Sequence, residues 1–482
     1  MRLRFAPSPT GYIHIGNVRT AVYNFIISKK YNADFILRIE DTDKERSTKE
    51  YEIMLMEDLK WLGIKWVEGP DIGGSHGPYR QSERFDIYKD FTNKLLQSGH
   101  AYHCYCTHEE LEENRKEAAA ANKQIVYSGR CRNLSSEEKK KFEAMGRKPS
   151  VRFRLPDDAS IEVDDLIKGK VVFDSENIGG DFIIVRSDGI PVYNYIVVID
   201  DAMMKITNVI RGEDHLSNTP KQILVAKALG LSSPRYAHHG LVLGPDRSKL
   251  SKRHGITSLR SYREQGYLPE ALLNYLSVLG WASESGEEIF SIEEIAQQID
   301  IDKLSSSPAV FDFQKLKWMN GQYLRKYPVE KITELFIPYI KESGFSLEHI
   351  ERSDLEAITT ILQAKCELLS DIKSFIGIFL TDVLEPDEET DSLLKEKDSK
   401  KIITEASNFI KANTAGKDSF NKELVNFIKE KTSLKGKKLF MPIRGILTGR
   451  LKGPELDDAV PVIGIERCKK RIEYMFNRYI YK

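Results

Sequence analysis

Apolar and polar positions along the first forty residues follow the pattern of a strand, a helix and a second strand. Leu3 and Phe5 alternate with polar residues, and residues 35–39 form a second short apolar run. Between them, apolar residues recur at helical spacing over residues 18–26. Residues 10–17 therefore lie where a strand turns into a helix, which is the position at which open α/β sheets bind nucleotides.

The pattern changes between residues 102 and 187. A cluster of cysteines is followed by an alanine-rich, charged helical segment at residues 109–122. Strand-like alternation then appears at residues 151–155 and 171–173. We interpret this segment as an inserted domain that splits the nucleotide-binding fold.

Strand-like apolar runs return at residues 192–199 and 206–210. Thr219 is predicted to cap the next helix, with Pro220 at its first position, and this helix is predicted to end at Gly230. These elements predict the second half of the nucleotide-binding fold.

Beyond residue 312 the strand signal fades. Apolar residues recur at helical spacing through residues 355–379 and 402–428. The acidic stretch at residues 384–389 has the composition of a domain joint. The last third of the chain is therefore predicted to be helical, as one domain or two.

Composition indicates a soluble, globular protein. The 482 residues are 41% hydrophobic and 30% charged, which excludes a disordered chain, and a chain of this length should form several domains. No apolar stretch approaches the roughly 20 residues of a membrane-spanning helix, and the first residues lack the apolar core of a signal peptide. A cytoplasmic location is expected.

Charge is unevenly distributed although the net charge is zero. Of 72 basic and 72 acidic residues, residues 401–482 hold 18 and 9, which leaves 54 and 63 for residues 1–400. A basic terminal region favours a polyanion such as RNA, but a solvated helical face produces the same lysine excess. Charge alone leaves both interpretations open.

Two short motifs carry candidate chemistry. Residues 14–17, His-Ile-Gly-Asn, put an imidazole and a residue without a side chain at a predicted helix N-terminus, where a nucleotide can approach the backbone. Residues 246–253, Asp-Arg-Ser-Lys-Leu-Ser-Lys-Arg, pack four cations into a loop that could close over a triphosphate. Taken singly, each motif is also typical of ordinary structure, a helix-capping histidine or an exposed basic turn.

Together the motifs indicate a family. Pro-Ser-Pro-Thr-Gly-x-x-His-Ile-Gly at residues 7–16 and Lys-Leu-Ser-Lys-Arg at residues 249–253 closely resemble the HIGH and KMSKS elements of class I aminoacyl-tRNA synthetases. Asn17 departs from the generic motif, which has a second histidine there. Further similarity to the bacterial glutamyl-tRNA synthetases lies in residues 4–11, 37–43, 209–215 and 267–272.

The resemblance covers essentially the whole chain and implies a multidomain α/β protein. A split Rossmann-type catalytic domain with an α/β insertion is expected, followed by an all-α anticodon-binding region. The implied domains are the first catalytic half (1–101), an inserted connective or acceptor-binding domain (102–187), the second catalytic half (188–245), a KMSKS-loop and stem-contact domain (246–325), and two helical anticodon-binding subdomains (326–385 and 386–482).

The resemblance also implies a glutamate site. Arg4 and Arg211 would read the carboxylates of glutamate, a task that suits the guanidinium group, and Glu40 would meet the substrate ammonium. Ala6, Ser8 and Tyr193 would complete the amino-acid pocket.

An ATP site is implied beside it. The expected ATP-binding residues are Pro7, Ser8, Thr10, His14, Gly16, Asn17, Asp214, Lys249, Ser251 and Lys252. Of these, His14, Gly16, Lys249 and Lys252 are expected to act in catalysis, which would consist of positioning and charge stabilisation with Mg²⁺ on the phosphates.

A zinc site is a further hypothesis. Cys104, Cys106 and Cys131 supply three thiolates, whereas structural zinc normally takes four ligands. Zinc-binding relatives place a histidine where this chain has Asn133, but Tyr127 matches a tyrosine that serves as a ligand in some relatives. Buried free thiols are the alternative.

The function implied is ATP-dependent activation of L-glutamate and its transfer to the terminal adenosine of tRNA(Glu), by a monomer. The residues expected to bind tRNA are Lys365, Lys435, Lys437, Lys438, Arg444 and Arg450. The alternatives are a glutaminyl-tRNA synthetase, a glutamyl enzyme that also charges tRNA(Gln), and a non-catalytic tRNA-binding paralogue. The helical last third argues against the first alternative, because glutaminyl enzymes carry β-barrels there.

Overall fold

The computed structural model describes residues 1–120, 126–157, 160–412 and 419–481, without the side chains of residues 118, 176 and 252. The chain forms two compact units. The first comprises residues 1–263 and 272–312, and the second comprises residues 264–271 and 313–482. Among the described residues, no helix combines the length and the apolar character needed to cross a membrane.

The strands are short. They are β1 (Arg2–Phe5), β2 (Asp34–Leu37), β3 (Ala101–Cys104), β4 (Ser150–Phe153), β5 (Ser160–Asp165), β6 (Gly169–Asp174), β7 (Ile183–Val185), β8 (Asn208–Gly212), β9 (Arg235–His239), β10 (Val242–Leu243) and β11 (Ala309–Val310).

Helices make up most of the remaining regular structure. Up to residue 298 they are α1 (Ile15–Lys30), α2 (Lys49–Trp61), α3 (Phe85–Gln97), α4 (His108–Ala120), α5 (Ser136–Ala144), α6 (Ser175–Ile178), α7 (Tyr193–Met203), α8 (Thr219–Leu229), α9 (Leu259–Glu264), α10 (Pro269–Val278) and α11 (Ile292–Gln298). After it they are α12 (Phe313–Lys326), α13 (Val329–Glu342), α14 (Arg352–Gln363), α15 (Ile372–Phe375), α16 (Gly377–Leu380), α17 (Glu388–Leu394), α18 (Lys397–Ala412), α19 (Phe420–Thr432), α20 (Lys437–Thr448), α21 (Leu456–Ile463) and α22 (Ile465–Tyr479).

The predicted first strand, helix and second strand are confirmed as β1, α1 and β2. β1 and β2 pair in parallel, with Leu3 opposite Phe35. β8 pairs in parallel with β9, and β9 with β5, onto which β6 folds back antiparallel. The backbone N–H of Thr207, just before β8, donates to the carbonyl of Arg2 at 3.0 Å, so β1 and β8 begin side by side.

The segment between the two halves of the nucleotide-binding fold contains both an independent sheet and an extension of the main one. β3, β4 and β7 form a separate antiparallel sheet. β5 and β6 instead extend the sheet of β8 and β9, because Asp165 pairs with Tyr236. The six-domain division therefore stays a prediction, since the first unit is compact across residues 102–187.

The predicted strand at residues 192–199 is wrong. This segment is helix α7, and its residues 195–201 are all buried. A short, uniformly apolar run fits a buried strand and a helix buried on every side equally well, so hydrophobic spacing cannot separate them. The helix packs in an apolar core with α3 and α8.

Thr219 is not the cap of α8, which corrects a second prediction. The helix begins at Thr219, and Asn218 precedes it without a side-chain cap. The hydroxyl of Thr219 instead accepts a hydrogen bond from Arg211 Nη2 at 2.8 Å. The end of the helix is confirmed, because Gly230 takes the left-handed conformation with φ of 67° that glycine adopts at low cost.

The second unit is helical, as its hydrophobic spacing predicts. Within residues 313–412 and 419–481 no strand is present. α18 packs against α19, α20 and α22, and buried apolar residues such as Ile402, Phe409, Ile446 and Ile472 fill the space between them.

Candidate active site

A pocket of about 290 Å³ opens at the carboxyl ends of β1 and β8. Open α/β sheets bind ligands at this edge because the strand ends and the loops after them converge there. Its lining residues are Arg4, Phe5, Ala6, Pro7, Ser8, Thr10, His14, Gly16, Asn17, Arg19, Thr20, Glu40, Tyr193, Arg211, Gly212, Asp214, His215, His239, Gly240, Leu241, Val242, Lys249 and Leu250.

His14 presents a neutral hydrogen-bond donor to this pocket. Its Nδ1 accepts the backbone N–H of Gly16 at 3.1 Å and so caps α1. Burial, and then the charge of Lys249, lowers the pKa of His14, so the ring is neutral near pH 7. Because Nδ1 accepts, the proton lies on Nε2, which is buried and has no partner among the described residues.

Gly16 keeps the helix start open to a ligand. A Cβ atom at this position would lie 3.3 Å from His14 Nδ1, which is closer than an ordinary van der Waals contact. It would crowd the imidazole ring that the hydrogen bond to Gly16 N–H fixes. The absence of a side chain leaves the positive end of α1 accessible to an anion.

The cationic loop contributes Lys249 to the opposite wall. Lys249 Nζ donates to Asp214 Oδ2 at 3.0 Å. Burial alone would raise the pKa of Asp214, but this hydrogen bond and the charge of Lys249 outweigh it, and the pKa is lowered. The pocket therefore holds a cation paired with a carboxylate before any ligand is bound.

Backbone hydrogen bonds join the segment just after this loop, residues 257–259, to the start of α1. Ile15 N–H donates to the carbonyl of Thr257 at 2.7 Å, and Leu259 N–H donates to the carbonyl of Ile13 at 3.1 Å. Inside the loop, Ser251 N–H donates to Nδ1 of His254 at 3.0 Å. The start of α1 and the chain that follows the cationic loop, more than 230 residues apart in the sequence, are thereby held together.

A buried ion network forms the floor of the pocket beside Arg4. Arg4 Nε and Arg38 Nη1 both donate to Asp201 Oδ1, at 3.3 and 2.6 Å. Arg38 Nη2 donates to Glu40 Oε1 at 3.3 Å. Burial raises the pKa of Glu40 to about 7 against the opposing charges of Arg38 and Arg4.

Arg211 lies at the end of β8 and is buried. Its Nε donates to His238 Nε2 at 3.0 Å, and its Nη2 donates to Gln222 Oε1 at 2.8 Å as well as to Thr219. Its Nη1 is buried and has no partner among the described residues. A buried guanidinium N–H without a partner costs free energy, which a bound anion would recover.

Tyr193 stands next to Arg211, at the first turn of α7. Its hydroxyl lies 3.3 Å from Nδ1 of His215. Burial, and then the Arg211 guanidinium, lowers the pKa of His215 to about 4, so this ring is neutral near pH 7. Burial raises the pKa of Tyr193, which keeps its hydroxyl protonated.

Most of the residues predicted for glutamate and ATP line this one pocket. Ser251 does not line it, and the side chain of Lys252 lies outside the described residues. Several polar lining residues were not predicted from the sequence, namely Arg19, Thr20, His215 and His239. Arg19 in α1 and the His-His pair that ends β9 do carry a sequence signal, because they are polar side chains inside otherwise apolar elements.

The cysteine cluster forms a compact group in the segment between the two halves of the fold. The sulfurs of Cys104, Cys106 and Cys131 lie within 4.8 Å of one another. The hydroxyl of Tyr127 is 3.3 Å from Cys104 Sγ and 3.6 Å from Cys106 Sγ. Asn133 takes no part in the group, because its side-chain oxygen accepts from Arg154 at 3.2 Å.

The residues predicted to bind tRNA fall into two groups in the second unit. Lys435, Lys437 and Lys438 are exposed at the start of α20. The other three have partners inside the unit. Arg444 donates to the carbonyl of Pro454 at 2.7 Å, Arg450 donates to the carbonyl of Glu385 at 3.1 Å, and Lys365 donates to Glu455 at 3.3 Å.

Comparison with known proteins gives two family matches. The model of the class I tRNA synthetase catalytic domain, for E and Q, matches residues 1–318. An anticodon binding domain model matches residues 331–476.

Full-length relatives agree with these matches. A glutamate–tRNA ligase from Carboxydothermus hydrogenoformans is 45% identical over 480 residues, covering 99% of this chain and 100% of the relative. One from Sulfurihydrogenibium sp. is 49% identical over 474 residues, 98% of each chain. The crystal structure of a glutamate tRNA ligase from Elizabethkingia meningosepticum in complex with its amino acid has a TM-score of 0.86 and 34% identity, covering 99% of both chains.

These matches confirm the predicted fold class, a class I α/β catalytic region followed by a helical anticodon-binding region. The predicted alternation of elements, the pocket at the sheet edge and the two motifs on its walls all fall within the matched catalytic region. By its residues 1–318 and by relatives that align along its whole length, the chain belongs to the class I tRNA synthetases of the glutamate and glutamine family.

Proposed function

We propose that this chain is a glutamate–tRNA ligase. It converts L-glutamate and ATP to glutamyl adenylate and pyrophosphate, and it then transfers the glutamyl group to the 3′-terminal adenosine of tRNA(Glu). The observation that carries the proposal is the unpartnered Nη1 of Arg211 in the pocket that also contains Arg4, Glu40 and His14. Two cations and one carboxylate match the two carboxylates and the ammonium of glutamate.

At the amino-acid end of the pocket, charged side chains bind the charged groups of the substrate. Arg4 and Arg211 bind the carboxylates, and Glu40, when ionised, binds the ammonium. Ala6, Ser8 and Tyr193 line the same space and set its shape. Because Arg4 and Glu40 share the buried network of Arg38 and Asp201, the two groups are held in place before substrate arrives.

The other end of the pocket holds ATP, with Mg²⁺ on its phosphates. His14 Nε2–H and the open start of α1 meet the phosphates, with Pro7, Thr10, Gly16 and Asn17 lining the approach. Lys249 leaves Asp214 for the phosphates, and Asp214 then contacts the nucleotide. Ser251 and Lys252 come from the same loop and close on the phosphates.

No protein nucleophile is needed for the first step. An oxygen of the glutamate α-carboxylate bonds to the α-phosphorus, and the bond from that phosphorus to the bridging oxygen breaks. The electron pair leaves with pyrophosphate, where Lys249, Lys252 and His14 stabilise the developing charge. In the second step the adenosine hydroxyl attacks the glutamyl carbonyl carbon, and AMP leaves.

The exposed lysines at the start of α20 bind the phosphates of tRNA. Lys435, Lys437 and Lys438 have no ion-pair partner among the described residues, so a polyanion meets no competing carboxylate. Arg444, Arg450 and Lys365 keep their partners within the second unit until tRNA binds, and then exchange them for tRNA contacts. Phosphate contacts of this kind supply affinity that depends strongly on salt.

The cysteine cluster is proposed to bind zinc through Cys104, Cys106, Cys131 and Tyr127. Three thiols and one phenol within a few ångströms of one another fit a four-coordinate site, and zinc would join the segments before and after α4. Metal analysis of the purified protein tests this. About one zinc per chain is expected, lost in Cys131→Ser and kept in Cys366→Ser, whose thiol is buried elsewhere. If the wild-type protein contained no metal, the three cysteines would be buried free thiols.

The enzyme is proposed to act as a cytoplasmic monomer. Light scattering in solution tests the oligomeric state. Charging of purified tRNA(Gln) beside tRNA(Glu) tests whether tRNA(Gln) is a second substrate.

ATP–pyrophosphate exchange tests the activation step. With tRNA present, L-glutamate is expected to support exchange and L-glutamine is not, because glutamine lacks the second carboxylate. Without tRNA, exchange is expected to be nearly silent. Robust exchange with glutamine, or none with glutamate, would overturn the proposed function.

A further inference from the structure

Behind the pocket, Arg211 is the end of a buried chain of hydrogen bonds that begins at Asp165. Asp165 Oδ2 lies 2.5 Å from His238 Nδ1, and both side chains are fully buried. His238 Nε2 in turn accepts from Arg211 Nε at 3.0 Å. The three residues come from β5, β9 and β8, which are neighbours in the sheet.

The geometry determines the tautomer of His238. Arg211 Nε always carries a proton, so His238 Nε2 must accept, and the ring proton lies on Nδ1, facing Asp165. Asp165 is itself fixed, because its Oδ1 accepts the backbone N–H groups of Ile167 and Lys168 at 3.0 and 2.9 Å. A carboxylate held in this way fixes both the orientation and the tautomer of an imidazole.

The chain of hydrogen bonds restricts Arg211 on one side only. Nε is held by His238 and Nη2 by Thr219 and Gln222, whereas Nη1 has no protein partner among the described residues although it is buried. The guanidinium plane is therefore fixed while one N–H group stays available. A buried donor without a partner costs stability, and a ligand oxygen that accepts from Nη1 would recover this cost.

Burial and the neighbouring cations favour the neutral form of His238. Asp165 faces Nδ1 from β5, Arg211 faces Nε2 from β8, and Lys168 follows β5. Burial, followed by these cations, lowers the pKa of His238 despite the hydrogen bond to Asp165. A protonated ring would turn its Nε2–H toward Arg211 and lose the hydrogen bond that orients it.

We propose that Asp165 and His238 are positioning residues that fix Arg211 for the recognition of a substrate carboxylate. Neither residue lines the pocket, so both act through Arg211 rather than on the substrate. The inference rests on the proposed function, because it assigns glutamate as the ligand of Arg211. The imidazole of His238 accepts from Arg211 Nε, and this orients the guanidinium so that its Nη1 group can bind the ligand.

Two substitutions of His238 separate its two hydrogen bonds. His238→Gln places an amide oxygen near the position of Nε2 and keeps an acceptor for Arg211. His238→Asn places an amide nitrogen near the position of Nδ1, which keeps the donor to Asp165 but removes the acceptor. Loss of a hydrogen bond to a charged group should weaken glutamate binding roughly tenfold to a hundredfold in His238→Asn, with His238→Gln close to wild type.

Asp165→Asn tests the tautomer. The amide oxygen of the substituted side chain would still accept the two backbone N–H groups, so its NH₂ group would face His238. His238 Nδ1 would then have to accept, and the ring proton would move to Nε2. Glutamate affinity should fall as in His238→Asn, although the imidazole is intact. Asp164→Asn, at an exposed position on the same strand, is the matched control and should bind glutamate normally.

Calorimetric titration of L-glutamate and of ATP with Mg²⁺ into each full-length variant gives the readout, with Arg211→Gln as reference. The inference predicts that glutamate binding weakens in Arg211→Gln, His238→Asn and Asp165→Asn, recovers in His238→Gln, and that ATP binding is unchanged throughout. If His238→Asn does not fold, the glutamate affinity of Asp165→Asn alone tests the inference. Normal glutamate affinity in Asp165→Asn, with weak binding in Arg211→Gln, would overturn the inference and leave the proposed function standing. A wild-type protein that does not bind glutamate would overturn both.

Discussion

Arg38 donates from Nη1 to Asp201 Oδ1 at 2.6 Å, and both side chains are buried beneath the pocket. The same carboxylate oxygen accepts from Arg4, and Arg38 also reaches Glu40. One buried aspartate thus links the arginine proposed to bind a substrate carboxylate with the glutamate proposed to bind the ammonium. Asp201 supports the polar groups at both ends of the proposed glutamate site.

Asp201→Asn should therefore destabilise the first unit. Removing one partner of a buried ion pair leaves charge uncompensated, so the free energy of unfolding of the first unit should fall by about 3 kcal/mol. Asp34→Asn is a matched control, because Asp34 pairs with Arg2 at 2.6 Å but its side chain is 55% exposed, and exposed pairs contribute less than about 1 kcal/mol. Thermal unfolding of both variants tests this, and equal shifts in melting temperature would contradict the buried network.

Glu40 gives the site a pH dependence. Its pKa is about 7, so the ionised fraction rises from roughly a tenth at pH 6 to roughly nine tenths at pH 8. If only the carboxylate binds the substrate ammonium, the Kd for glutamate should fall about tenfold over this range. Titration calorimetry at several pH values measures it, and Glu40→Gln should bind weakly with a flat profile. A flat wild-type profile would show that Glu40 does not act as proposed.

The same raised pKa has a consequence for stability, with a defined sign. The folded protein holds the Glu40 proton more tightly than the unfolded chain, whose pKa is near the ordinary value of 4.5. Between about pH 4.5 and 7 the folded state therefore binds more protons, and the contribution of Glu40 to stability falls as pH rises. Glu40→Gln should remove this part of the pH dependence of the melting temperature.

Lys252 tests the cationic loop. Its backbone lies in the short 3₁₀ turn Lys252–His254, directly after the Ser251 N–H that His254 fixes. Removing a donor that acts as charge develops on pyrophosphate should lower kcat roughly a hundredfold to a thousandfold in Lys252→Ala, with a smaller change in the KM for glutamate. Lys227→Ala, at an exposed position on α8, is the control. A loss below about fivefold would make Lys252 an ordinary surface lysine.

The exposed lysines at the start of α20 should set the salt dependence of tRNA binding. Replacing Lys435, Lys437 and Lys438 together by Gln should weaken tRNA affinity and reduce the log–log salt slope by roughly two units, at about 0.7 to 0.9 per phosphate contact with one lysine idle. The control triple, Lys397, Lys400 and Lys401 to Gln on α18, removes the same charge from the same unit. An unchanged salt slope after replacement of Lys435, Lys437 and Lys438 would show that this segment does not contact tRNA.

The sequence pattern alone identified those candidate residues of the pocket that belong to a short continuous motif. His14 and Gly16 follow from a strand that turns into a helix, and Lys249 follows from a loop of cations. The pattern could not predict the supporting residues, because Asp165, Asp201 and His238 reach Arg211 and Arg4 only through the pairing of distant strands and the packing of α7. The strand predicted in place of α7 was wrong because a helix that is buried on every side shows no helical alternation of apolar and polar residues.

Charging of tRNA with labelled L-glutamate is the decisive test of the proposed function. With ATP, Mg²⁺ and purified tRNA(Glu), the wild-type protein should form acid-precipitable glutamyl-tRNA, and Arg211→Gln should lose most of this activity while still binding tRNA. Labelled glutamine and aspartate, tested in parallel, should give no product. Failure of the folded wild-type protein to charge tRNA(Glu), or equal charging with glutamine, would contradict the account.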